Sequence, residues 1–169
     1  MSLKSVLNDL VTELDGSVLS ETFDVNGRKW ALKLLNEEET NWRNAHVIMA
    51  NTLSAMSSFK LPTLAMSIQR VENSGSMVSI REIFQEEWDD LPKEDRERYE
   101  GLNNAYSQKY FAAEKFMEFL SQRFPDALDP LYEKYEFLRK RRDEAQAALK
   151  KSSGEGSQGT TDPSPPGEK

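Results

Sequence analysis

The stretch SETFDVNGRKWALKLLNEEETNW, Ser20 to Trp42, constrains the fold of this chain more than any other. Phe23 and Val25 alternate with Thr22 and Asp24, and Trp30, Leu32 and Leu34 alternate on the return. Between them, Asn26-Gly27 supplies the positive φ angles that a type I′ turn requires, so the stretch predicts a β-hairpin. One face is apolar, and the other carries Thr22, Asp24 and Lys33. A lone two-stranded hairpin is barely stable in water. The Trp30 and Leu32 face must therefore be covered, and the expectation is that the chain's own helices cover it while the outer edge is left for a partner.

Helix signals surround the hairpin. Leu3, Val6, Leu7, Leu10, Val11 and Leu14 recur at spacings of three and four and predict an N-terminal amphipathic helix ended by Gly16. After the hairpin, Asn36 followed by Glu37, Glu38 and Glu39 reads as an N-cap with acids in the first turn, and Glu39 is placed to close a capping box. Trp42, Ala45, Met49, Leu53 (or Thr52) and Met56 then mark a seam along a helix running to about Ser58. Pro62 predicts a break or kink. A second helical segment carries Leu61, Leu64, Ile68 and Val71 up to turn residues Asn73, Ser74 and Gly75.

MVSIREIF, residues 77–84, fits either a short strand or a first helical turn. Pro92 follows Asp90 and Leu91 at a plausible first helical position, and Leu102, Tyr106, Tyr110, Ala113, Phe116 and Leu120 trace one face of a long helix ending near Phe124-Pro125. Asp129 before Pro130 opens a last helix through Leu131, Tyr135 and Leu138 to about Lys151. The final stretch, SSGEGSQGTTDPSPPGEK, holds no large apolar residue, so it cannot offset its ordering entropy and is expected to be a disordered tail. The fold class is thus α+β and mostly helical: an N-terminal helix and small β-hairpin followed by a helical bundle, with one domain over 1–151 and a tail over 152–169.

Charge narrows the function. The chain carries 22 basic and 29 acidic residues, a net charge of -7, which repels a phosphate backbone unless the basic residues are segregated. Nucleic acid is therefore not the expected partner. The one basic concentration, Arg139, Lys140, Arg141, Arg142, Lys150 and Lys151, lacks interleaved aromatics and lies where cations suit the end of a helix dipole. There is no cysteine, hence no disulfide, thiolate metal site or cysteine nucleophile. No run approaches the ~18 apolar residues of a membrane span, and the N-terminus lacks a signal-peptide pattern. The expectation is a protein that acts in a cytoplasm without membrane contact.

Catalytic signals are sparse. His46 is the single histidine and has no acid or nucleophile at matching helical spacing, ENSGSM lacks the lysine of a phosphate loop, and Asp89-Asp90 is more simply a cap before a helix. Neither a catalytic group, a metal site nor a cofactor is expected. The last two helices are rich in tyrosine, and tyrosines outside their interface would anchor a protein partner.

The order of elements carries a resemblance. FDVNGRKWALKLLNEEE, then LPTLAMSIQRVENSGS, then the tyrosine-bearing LDPLYEKYEFLRKRRDEAQAALKK together resemble the small tail and baseplate assembly chaperones of tailed bacteriophages over residues 20–151. The resemblance lies in layout and texture, and the long helix at 93–124 departs from it. It implies a non-enzymatic protein in the host cytoplasm, or in the virion tail, that masks an aggregation-prone tail component such as a tape measure or hub protein. Self-association is a further partner option. The residues expected to touch the partner are Trp30, Trp42, Met49, Leu53, Met56, Tyr132, Tyr135, Arg139 and Arg142. The alternatives are a structural virion subunit retained in the particle, or an adaptor that binds protein through the basic last helix.

Overall fold

The computed structural model describes residues 20–49, 55–100 and 107–154. The hairpin forms as its turn chemistry dictates: β1 (Ser20–Val25) and β2 (Arg28–Lys33) pair antiparallel around Asn26 at φ 53° and Gly27 at φ 72°. Helix α1 (Glu37–Met49) starts on a reciprocal capping box. The Asn36 side chain accepts from the Glu39 amide at 2.8 Å, and the Glu39 carboxylate accepts from the Asn36 amide at 3.0 Å.

Helix α2 (Ala55–Ser67) continues through Pro62, so the expectation that this proline interrupts the helix is corrected. An interior proline costs about 3 kcal/mol. Here Leu64, Ala65 and Met66 are buried and α2 packs against three other helices, which outweighs that cost.

The second correction concerns Ile68 and Val71. They lie not on a helix but on β3 (Ile68–Asn73), which pairs with β2 on one side and with β4 (Ser76–Ser79) on the other. The Ser67 hydroxyl donates to the Lys33 carbonyl at 2.6 Å, fastening the end of α2 to the end of β2 and launching the β-branched stretch along the sheet. The turn at Ser74 (φ 50°) and Gly75 (φ 81°) repeats the left-handed pair of the first hairpin. The sheet order is β1-β2-β3-β4.

MVSIREIF resolves into both of its readings, since β4 ends at Ser79 and helix α3 (Ile80–Ile83) begins at the next residue. Helices α4 (Gln85–Asp90) and α5 (Lys93–Glu100) follow, then α6 (Ser107–Arg123), which stops before Phe124-Pro125 as expected. A 3-10 turn over Pro125–Ala127 leads into α7 (Leu128–Gly154). Asp129 and Pro130 consequently sit inside the first turn of α7, not ahead of it. The tail expected from residue 152 is corrected at its start, since residues 152–154 continue α7; the expected N-terminal helix, Leu53, the segment 101–106 and residues 155–169 of that tail lie outside the described residues.

Phe23 opposes Trp30, and Trp30 opposes Val71, so these side chains share one face of the sheet. Helix α7 and Phe124 cover that face: Phe124 meets the Trp30 ring edge-on at 5.4 Å. Leu32, Leu64, Phe116, Leu120, Leu131 and Leu138 are fully buried in one continuous cluster that joins the sheet to α2, α6 and α7. Each such side chain contributes about 1.5–3 kcal/mol by leaving water.

Lys33 departs from the hairpin pattern. Placed on the polar face, its ammonium is nonetheless buried, and it pairs with the carboxylate of Glu39, which also receives Lys109 from α6. Burial draws the Lys33 pKa down against the pull of Glu39. Burial also raises the Glu39 carboxyl, but hydrogen bonds from Lys109, Lys33 and the Asn36 amide outweigh it and hold the group below the usual carboxylate range.

Candidate functional site

The structure separates the residues expected to meet a partner. Trp30 is 1% exposed, with its indole N–H donating to the Val25 carbonyl at 3.3 Å. Trp42 is buried and stacks with Tyr110 at 6.2 Å between centroids, and Tyr135 is buried as well. These three are core residues, and the expectation that they anchor a partner is corrected: a ring enclosed by its own helices presents no area to another chain. Tyr132 is half-buried, stacked beside Tyr135 at 6.1 Å and flanked by the Lys60 ammonium 5.6 Å from its ring. Met49 and Met56 fall on the backbones of α1 and α2, and their side chains, like Leu53, lie outside the described residues.

Arg139 and Arg142 lie on the outer part of α7, where the basic run is knitted into ion pairs. Arg139 meets Glu136 at 2.8 Å, Lys140 meets Glu144 at 3.9 Å, and Arg142 meets Asp143 at 3.2 Å. Arg141 reaches across to Glu21 of β1 at 2.6 Å. Each cation is thereby opposed locally, which leaves little concentrated positive field for a polyanion.

Among the described residues two large hydrophobic side chains are exposed, Ile83 at 39% and Phe137 at 49%, and Phe137 lies where β1 meets α7. Among the described residues β1 has a neighbouring strand on one side only, and most of its residues are exposed. Phe23 of β1 meets Phe137 of α7 edge-to-face at 6.3 Å, and Phe137 is 49% exposed. The cations of Lys134 and Arg141 flank this pair, each 5.7 Å from a ring. A strand edge with no further strand paired to it among the described residues, beside a half-exposed aromatic pair, is an arrangement to which an extended peptide can add.

A second constellation surrounds His46. Its Nε2 lies 3.2 Å from Glu114 of α6, its Nδ1 lies 3.0 Å from the Trp42 carbonyl, and the ring lies against the Trp42 indole at 3.9 Å. Glu114 also accepts from the Tyr99 hydroxyl at 2.6 Å, and Arg98 approaches it at 3.6 Å. Both ring nitrogens face acceptors, and both can donate together only in the imidazolium form. The hydrogen bond to Glu114 accordingly raises the His46 pKa, against the opposing effect of burial. Burial lifts Glu114, but its bonds from His46 and Tyr99 outweigh that and hold its carboxyl below the usual range. Burial, reinforced by Glu114, pushes the Tyr99 hydroxyl up to about 12.

Chemically this network ties α1 to α5 and α6 and leaves neither oxygen of Glu114 without a donor. Glu114 is 68 residues from His46, so helical spacing could not have revealed it. No group of three or more metal-ligating side chains occurs among the described residues, and no described helix is long and apolar enough to cross a membrane. Comparison with protein-family models, curated proteins and solved structures finds no match to the chain.

Proposed function

We propose that this chain is a non-enzymatic assembly chaperone of a bacteriophage tail or baseplate, which binds an aggregation-prone component through β1 and the adjoining face of α7. The observation that carries the binding part of this reading is the β1 edge, which has a neighbouring strand on one side only among the described residues, beside Phe137, half exposed at 49%. An extended client segment gains main-chain hydrogen bonds along β1 and an aromatic contact at Phe137, while Trp30 and Leu32 beneath keep the platform rigid. The layout of hairpin, acid-started helix and tyrosine-bearing last helix supports the phage assignment. Action in the host cytoplasm follows from the same reading. The adaptor alternative through the basic run is less favoured, because Arg139 to Arg142 are each opposed by a carboxylate.

The test is quantitative mass spectrometry of proteins recovered with a tagged copy from infected cells, beside purified virions. A tape measure or hub protein should be enriched from cells, this chain should be missing from virions, and Phe137→Asp should lose the client while remaining folded. A fixed ratio in virions would instead make the chain a structural subunit. Recovery of no tail component would sink the phage reading.

A further inference from the structure

At the end of the sheet where β2 and β4 finish and β3 begins, α2, α3 and α6 flank a partly open cavity of ≈ 340 Å³. That volume falls within the range of about 300–1,000 Å³ typical of small-molecule sites. Its charged lining is of one sign: Lys33 from β2, Arg81 from α3 and Lys109 from α6, with no acidic side chain among them. This is notable in a chain whose net charge is -7. Composition alone would place acids there more often than bases.

Glu39, 0% exposed, lies behind this wall. Both Lys33 and Lys109 donate to the same Oε1 of Glu39, so the carboxylate fixes the two ammonium groups side by side. Arg81 stands exposed at the rim. The remainder of the lining is mixed, with Met66, Ile68 and Ala113 on its apolar side and Gln69 and Ser79 adding polar groups. Two positioned ammonium groups, a rim guanidinium and an apolar wall together match an anionic head joined to a compact hydrocarbon body.

We propose that this cavity binds a small organic carboxylate, its head between Lys33, Lys109 and Arg81 and its apolar body against Met66, Ile68 and Ala113. The site is separate from the β1 and α7 surface, so it stands or falls independently of the chaperone reading.

The probe is octanoate, titrated into the full chain with methyl-labelled methionine and followed by the Met66 resonance. Inorganic phosphate and 1-octanol serve as the head-only and body-only controls. Octanoate should shift Met66 saturably at one site per chain, and each control should bind at least about tenfold more weakly. Arg81→Glu, an exposed change that leaves the buried pairings intact, should weaken octanoate about tenfold or more. Four outcomes overturn the proposal: no saturable shift at Met66, octanol binding as tightly as octanoate, phosphate binding as tightly as octanoate, or undiminished octanoate affinity in folded Arg81→Glu.

Discussion

Glu39 uses its two oxygens for different tasks: one accepts the Asn36 amide and completes the cap of α1, and the other receives Lys33 and Lys109. Glu39→Ala removes both and leaves two ammonium groups without their shared counter-charge, so it should destabilise the fold by about 3–5 kcal/mol. The neighbouring Glu37 is exposed, and Glu37→Ala should stay within about 0.5 kcal/mol of the parent; urea unfolding of both variants checks the contrast. His46 gives a prediction in pH. Its folded pKa lies above the ordinary 6.5, so its contribution is fully present below 6.5 and is lost as pH rises through the folded value. Glu114 runs the other way: its folded pKa lies below 4.5, so its contribution is present above 4.5 and is lost as pH falls through the folded value. The stability advantage of the parent over His46→Gln should therefore be greatest between about 4.5 and 6.5 and shrink toward pH 9, as thermal melts at both ends would show. An advantage that stayed constant with pH would mean that His46 acts there as a neutral packing group. The Asn36–Glu39 cap was legible because both partners lie within one turn. The burial of Lys33 and the His46–Glu114 bond were not, because Lys109 and Glu114 are brought in from some 70 positions away by the packing of α6.

At the scale of elements, the two hairpins make a controlled pair. Asn26-Gly27 and Ser74-Gly75 both place two successive residues at positive φ, but serine tolerates that region less readily than asparagine. Ser74→Asn should therefore stabilise the fold by about 0.5–1 kcal/mol, and Gly27→Val should cost about 1–2 kcal/mol, both readable as shifts in the urea midpoint. Nothing lies within 4 Å of a Cβ added at Gly27, so the expected cost is purely that of backbone conformation. The difference between the turns also explains what sequence could convey. Asn-Gly flanked by strict alternation announced the first hairpin, whereas the second lay hidden because Leu61, Leu64, Ile68 and Val71 continue a helical spacing across the α2-to-β3 boundary. The boundary is set by Ser67 bonding to the Lys33 carbonyl, a contact across 34 positions that no local pattern encodes. The hairpin announced a free edge without saying which strand would carry it; the pairing of β3 with β2 makes β1 the edge strand among the described residues, and its aromatic neighbour Phe137 could be assigned only after α7 was laid beside it.

Across the whole molecule, α7 is the element that closes the structure. It begins beside the 3-10 turn, lays Leu131, Tyr135 and Leu138 into the common cluster, and extends past β1 far enough for Arg141 to reach Glu21. The sheet face bearing Phe23 and Trp30 thus depends on residues more than a hundred positions later in the chain. If the cluster is one cooperative unit, loosening α7 must loosen the first hairpin too. Leu138→Ala removes a fully buried side chain and should cost about 2–5 kcal/mol. The informative readout is where that cost is felt. Under native conditions, amide exchange should accelerate by a similar factor in β2 around Trp30 to Leu32, in α6 around Phe116 to Leu120, and in α7 itself. Faster exchange confined to α7, with β2 protection unchanged, would mean that the last helix opens on its own and leaves a stable sheet platform behind. Such a platform would expose the Trp30 face, and the proposed binding of a client would then proceed by displacement of α7 in place of addition along β1.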